Sequence, residues 1–418
     1  MPASRTSARP AGPANMLGVL DKLTGPDVKV YQGRCVRVRN RNVVCTRCAD
    51  ACTTGAISTD EQGRVVVTPS RCIGCGTCAT VCPTCALEAH HPTDEDLLAS
   101  ALAAMRANDG HVVVACAKVL DEAFGRCDES RVVRVTCLGR VDESLLAALA
   151  ASGAADVSLV EGACADCPHA TGWSACRAVT ESCERILAAW GRTLPIAYVD
   201  ALPAQVMTLD GFGAPAAGRP VADPMAAPDD PADPADPAAT PDDPDADPAP
   251  RFVADGSQVT AAGERFAKVG RDGTLPHFVP TRRGRLLQTL AELGAAPDRE
   301  PVATRLWGEV VIDTQACGSC RLCAVFCPTG ALRAFDDRRT ATFGIEHEPG
   351  ACVACGTCVD VCPKQAVTLT DEVFPSDLYD GHVERFEMRP REVEPGRPDT
   401  IVKKMRGVLS ASKYVSQA

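Results

Sequence analysis

CGSCRLCAVFCPTGAL occupies residues 317–332, and CVACGTCVDVCPKQAV occupies residues 352–367. Each cysteine of the first stretch recurs 35 residues later: Cys317 as Cys352, Cys320 as Cys355, Cys323 as Cys358 and Cys327 as Cys362. A third copy, CIGCGTCATVCPTCAL, covers residues 72–87, and a shorter fourth, CTRCADACTTGAI, covers 45–57. At an offset of 30, Cys45, Cys48 and Cys52 align with Cys75, Cys78 and Cys82, but Cys72 aligns with Asn42. Cys35, seven residues upstream of Asn42, is the candidate substitute. One cysteine pattern therefore occurs twice near each end of the chain.

The spacing C-x-x-C-x-x-C-x-x-x-C-P has a physical reading. Three closely spaced thiolates on a tight loop wrap one cube of iron and sulfide. The fourth points away along the start of a helix and reaches the neighbouring cube, so paired motifs exchange one ligand. The proline after the last cysteine fixes the chain as it leaves the site. Soft thiolates suit iron–sulfur clusters or zinc, but zinc sites pair two C-x-x-C units across longer spacers. No motif has aspartate at its second cysteine position, which would point to a three-iron cluster. Four 4Fe–4S clusters are expected.

In these segments, over about 35–90 and again over 313–370, the sequence resembles the bacterial double-cubane ferredoxins. The resemblance implies two α+β modules, each a pseudo-twofold arrangement of short hairpins and helices. It also implies ligand sets. One N-terminal cluster takes Cys35, Cys45, Cys48 and Cys82, and the other takes Cys72, Cys75, Cys78 and Cys52. The C-terminal sets are Cys317, Cys320, Cys323, Cys362 and Cys352, Cys355, Cys358, Cys327. Residues 57–68, ISTDEQGRVVVT, predict a hairpin turning at Gly63, and 332–346 repeats that pattern around Asp336 and Asp337. Cys85 is a fifth cysteine where the other module has Gly330. It reads as a buried spare thiol, or as a swap ligand during cluster damage.

Between the modules lies a segment of opposite character. Residues 214–250 hold 12 Ala, 11 Pro and 9 Asp in 37 positions. This composition predicts a disordered Pro/Asp/Ala linker with nothing apolar to bury, or an acidic docking segment. It carries −8 of the net charge of −11, leaving the rest of the chain near neutral. With no basic stripe and 4% aromatics, nucleic-acid binding is not expected. The 24 cysteines, an N-terminus without an apolar export segment, and no run of 18 apolar residues point to a reducing cytoplasm and metal rather than disulfides or a membrane span.

Residues 110–200 alternate strand and helix. Apolar runs at 111–116, 131–138, 156–161 and 194–199 predict strands, and 141–151 and 173–190 predict helices. That alternation predicts a parallel sheet, whose strand ends at the carboxyl side form sites. Cys116, Cys137, Cys164 and Cys167 fall at or just beyond such ends. Cys176 and Cys183 share a helix face with Val179, Ile186 and Trp190 and read as core. His169 reads as a surface or supporting group, and Cys127 takes no assignment. VTCLGRVDESLLAALAASGAADVSLVEGACADC, residues 135–167, looks like the small iron–sulfur subunit of hydrogenases that feed heterodisulfide reductase. That resemblance implies a 2Fe–2S centre on Cys116, Cys137, Cys164 and Cys167. The chain departs from it at Val119, where the family has a second cysteine, and in the C-x-x-C spacing of Cys164 and Cys167.

The expected domains are 16–95, 110–205, 275–375 and a C-terminal tail 376–418, with the linker between the second and third. Thr400–Leu409 reads as an amphipathic helix bearing Ile401, Met405, Val408 and Leu409. No dinucleotide fingerprint, P-loop or nucleophile motif appears. The leading function is therefore an electron-transfer protein serving a cytoplasmic oxidoreductase: a hydrogenase, a molybdopterin enzyme or a heterodisulfide-reductase-type complex. The alternatives are a dithiol enzyme using Cys164 and Cys167, or an iron–sulfur carrier. The linker suggests two heads that dock separately on donor and acceptor. The competing arrangement is one rigid subunit with its clusters in a continuous wire.

Overall fold

The computed structural model describes residues 27–208 and 274–389, apart from Val279 and Arg299. The linker 214–250 and the segment Thr400–Leu409 lie outside them. In each terminal module the first and last strands pair and enclose a hairpin. Val28–Val30 runs antiparallel to Leu87–Ala89, and Ile57–Thr59 to Val65–Val67. The second module repeats this with Glu309–Ile312 against Val367–Thr370, and Leu332–Asp337 against Thr342–His347. The first hairpin turns where expected, with Asp60 accepting from the amides of Gln62 and Arg64 and Gly63 at φ +80°. The second turns later than expected, after Asp337, so Asp336 and Asp337 lie in the strand. The second module also runs on past residue 375: strand Glu384–Glu387 pairs with Thr342–His347 as a third strand.

The middle domain is a four-stranded, wholly parallel sheet in the order Val132–Val135, His111–Cys116, Asp156–Val160, Ile196–Val199. The strands are β1 His111–Cys116, β2 Val132–Val135, β3 Asp156–Val160 and β4 Ile196–Val199. The run HVVVAC is apolar at successive positions because both sheet faces are covered. Val112 and Val114 face one core with the helices, while Val113 and Ala115 face another with Leu120 and Val206. Helix α1 (Asp94–Ala107) precedes the sheet, capped by Thr93, whose hydroxyl accepts from the Asp96 amide, and with three acidic residues in its first turn. Helix α2 (Glu143–Ala151) starts at Asp142, whose carboxylate accepts from the Leu145 amide. Helix α3 (Ala170–Ala189) buries Cys176 and Cys183 completely. Helix α4 (Thr281–Leu293) belongs to the second half of the chain.

The two halves do not stand apart, and this corrects the expectation of two separately docking heads. One shared core joins Ala147, Ile186 and Trp190 of the first half to Leu286, Leu290, Trp307 and Leu378 of the second. Another joins Val36 and Val43 to Phe326 and Val361. Polar bonds reinforce both contacts. Arg305 makes a bidentate pair with Glu143 at 2.8 and 2.6 Å, and Glu143 is only 1% exposed. Arg282 donates to the carbonyl of Thr80, and the Val44 amide donates to Asp360. The linker composition reports on the connection, not on the surfaces at its two ends, and those surfaces are complementary. A protease site placed between residues 208 and 274 and then cut should therefore leave both pieces co-eluting as one species in size-exclusion chromatography under native conditions. Separate elution would contradict the shared cores.

Candidate metal centres

Five groups of four thiols gather in the structure. Site A is Cys35, Cys45, Cys48 and Cys82: burial, then the charges of Cys82, Cys35 and Cys45, push Cys48 up to about 12. Site B is Cys52, Cys72, Cys75 and Cys78, where burial and then Cys75, Cys48, Cys72 and Cys52 push Cys78 well up. Site C is Cys317, Cys320, Cys323 and Cys362, where burial and the other three thiols push Cys323 up to about 12. Site D is Cys327, Cys352, Cys355 and Cys358, where burial and its three neighbours raise Cys358 strongly. Burial and mutual repulsion favour the neutral thiols, and held together as thiolates they would need a cationic centre to balance them. The donor sets fit iron–sulfur clusters in number and softness.

The sequence repeats act through local geometry. The third residue after each last cysteine is left-handed: Gly55 at φ +62°, Cys85 at +46°, Gly330 at +74° and Gln365 at +51°. This turn aims the next amide back at the sulfur. Ala56 donates to Cys52 Sγ at 3.2 Å, Ala86 to Cys82 at 3.2 Å and Ala366 to Cys362 at 3.3 Å. Burial would raise Cys52, but the amides of Thr54 and Ala56 hold it below its ordinary value. Such bonds stabilise the anionic, metal-bound sulfur. Cys35, at the foot of the short helix Val36–Arg39, is raised by burial while the amides of Val38 and Arg37 pull it down. The residue without a motif partner is thus set among amides like the others.

The fifth group, site M, lies in the middle domain. Burial and then the charges of Cys116, Cys137 and Cys167 push Cys164 up to about 12. Cys116 ends β1, Cys137 follows β2, and Cys164 and Cys167 follow β3, so the parallel sheet carries all four to its carboxyl edge. The sulfur of Cys176 also lies within electrostatic reach of Cys137 and Cys164, although it is fully buried in the core. His169 stands with its Nδ1 3.3 Å from the Thr53 carbonyl and joins no thiol group. Cys127 sits in an isolated bridge with Met207.

The groups are ordered in space. Cys137 lies within electrostatic reach of Cys75, which places site M against site B. Cys78 reaches Cys48, joining B to A. Cys45 and Cys355 flank one apolar core, joining A to D. Cys358 reaches Cys323, joining D to C. Glycines permit the tightest of these approaches. A Cβ on Gly172 would come 2.4 Å from Cys137 Sγ, and one on Gly139 2.3 Å from Thr77 Oγ1 beside site B.

Arginines complete the surroundings, and the sequence motifs do not mark them. Arg282 Nη2 lies 3.5 Å from the sulfur of Cys85. Cys85 is 4% exposed, and burial raises its thiol while Arg282 opposes the rise. Arg283 donates to the carbonyls of Leu306 and Gly350 and faces Cys352. Arg47 donates to the Ala354 carbonyl at 3.1 Å and faces Cys355. Burial lowers Arg39 to about 10, opposed by the charges of Cys327 and Cys355.

Comparison with known proteins agrees with the terminal modules. Residues 43–86 and 316–366 match the 4Fe-4S dicluster domain family. The chain is also similar to pyruvate synthase subunit PorD of Methanocaldococcus jannaschii, 31% identical over 62 residues. That alignment covers 15% of this chain and 66% of the relative, so the chain spans just under two thirds of that protein. Both ends are therefore ferredoxin-like iron–sulfur domains that support an electron-transfer role, and the middle domain lies outside both family matches. Among the described residues no helix is long and apolar enough to cross a membrane.

Proposed function

We propose that this chain is an electron-relay subunit with four 4Fe–4S sites and one 2Fe–2S site, serving a catalytic oxidoreductase. The observation that carries the reading is the spatial order M–B–A–D–C within one packed unit. Iron–sulfur clusters held by these thiols would supply one-electron storage and outer-sphere transfer between neighbouring sites. The chain's own residues hold the sulfurs, direct amides at them, and keep water out with the cores around Val36, Phe326 and Val361. Site M, at the exposed end of the sheet, and site C, at the far module, are the two ends at which partners would dock. The partner class is a hydrogenase, a molybdopterin enzyme or a heterodisulfide-reductase-type complex in the cytoplasm. The relative's membership of pyruvate synthase supports a place in a redox complex. A dithiol reductase needs only Cys164 and Cys167, whereas the sheet brings Cys116 and Cys137 to the same edge, which supports a four-thiol metal site instead.

The test is elemental. Protein purified without oxygen should carry about 16 irons and 16 sulfides from the terminal modules and about two more of each from site M. Stoichiometric zinc in place of iron would sink the proposal. A second expected result separates site M from the others. Gly172→Val should displace Cys137 and remove the 2Fe–2S signal from the paramagnetic resonance spectrum, while the iron of the terminal modules stays. An unchanged 2Fe–2S signal would show that the Gly172 contact does not support the site.

A further inference from the structure

Among the described residues, Arg39 is a cation buried at the seam between sites A and D with no carboxylate beside it. It closes the four-residue helix Val36–Arg39, one turn beyond Cys35, and is 6% exposed. Its Nη1 donates to the Gly33 carbonyl at 3.2 Å, while Nε and Nη2 are buried with no hydrogen-bond partner among the described residues. No carboxylate among the described residues pairs with it. Arg283, 7% exposed and likewise without a carboxylate partner among the described residues, is bound instead by the carbonyls of Leu306, Pro349 and Gly350. The remaining buried arginines nearby differ. Arg140 pairs with Asp94 and Asp142, Arg282 stands 3.7 Å from Asp142, and Arg305 is bound to Glu143.

An unpaired buried charge is costly and persists where an opposite charge balances it. The helix that Arg39 closes packs at this seam through Val36, which shares a core with Cys355, and the sulfurs within electrostatic reach of Arg39 are Cys327 and Cys355, both of site D and both in the other half of the chain. Arg47 and Arg283 face the same set, at Cys355 and Cys352. Site B differs in sign, since Cys72 faces Asp27. Adding an electron makes a thiolate-bound cluster more negative by one charge. A fixed cation in a medium of low dielectric favours that form far more than it would in water.

We propose that Arg39 is a positioning residue that sets the redox level of site D from across the interface, making site D the electron-holding step between the two halves. The proposal rests on the cluster reading given above. The N-terminal half supplies this charge, so site D reaches its working potential only when both halves are assembled.

The test uses the full-length, iron-loaded protein in an anaerobic redox titration followed by electron paramagnetic resonance. Arg39→Gln should move one 4Fe–4S couple to lower potential. The expected size is at least a tenfold loss of its reduced fraction at fixed potential, which is 59 mV for a one-electron couple. Arg39→Lys, which keeps the charge, should restore most of it. Unchanged couples in Arg39→Gln with full iron content overturn the proposal. If Arg39→Gln loses iron, Arg39→Met and Arg39→Lys carry the comparison, and equal potentials in those two overturn it. Loss of iron in all three variants, lysine included, assigns Arg39 a folding role and also overturns it. Failure of the cluster reading would look different: the unmutated protein would give no resonance signal on reduction.

Discussion

Arg140→Met is expected to destabilise the protein by about 3–5 kcal/mol, the usual effect of removing one partner from a buried charge network. Arg140 is 2% exposed. Its guanidinium holds Asp94 of α1 and stands 3.7 Å from Asp142 at the cap of α2. Burial alone would raise Asp94, but Arg140, Arg282 and Arg285 together hold it down at about 2. The methionine keeps most of the stem and leaves Asp94 with Arg285 and Asp142 with Arg282 alone, which also stands 3.7 Å away. The effect should also reach site B, because the Arg140 stem lies against Gly76, where a Cβ would come 2.3 Å from it. Urea unfolding of the iron-loaded protein would measure the change. A loss below about 1 kcal/mol, the ordinary range of exposed ion pairs, would show that the network is not mutually dependent.

Trp307→Ala should cost a similar amount, about 3–5 kcal/mol, and should act on the joint between the halves. Trp307 is completely buried and shares a core with Ile186 and Trp190 of the middle domain and Leu286 and Leu290 of α4. Its indole N–H donates to the Val302 carbonyl at 3.1 Å, so alanine leaves both a cavity and an unpaired acceptor. The terminal modules have their own cores around Leu87 and around Ile345, so iron content should fall less than stability. In Trp307→Ala carrying the cleavable site between residues 208 and 274, the cut pieces should separate at lower denaturant than in the parent. Equal separation points would mean that the other shared core alone holds the halves together.

The thiol groups were legible in the sequence because their geometry is local. A C-x-x-C-x-x-C loop places three sulfurs together through its own backbone, and the turns at Gly55, Cys85 and Gln365 bring an amide onto the fourth. The parallel sheet was legible for a related reason: strands covered on both faces read as apolar runs such as HVVVAC, and Cys116, Cys137 and Cys164 follow their ends. Helix α1 fell between the expected domains, although Thr93 and its acidic first turn mark its start.

What spacing could not convey is where the modules sit. The contacts that decide it join residues far apart in the chain, such as Val44 and Asp360 at a separation of 316. The side chains involved, Arg39, Arg282 and Arg305, belong to no motif, and their surroundings come from residues distant in the chain. A linker rich in proline and aspartate sets reach and leaves the complementarity of the surfaces it joins untouched. The donor atoms of each site therefore follow from near neighbours along the chain. The line of sites, and the unpaired cation at its middle, follow from packing between distant ones, where burial and the loss of water give a single arginine its effect.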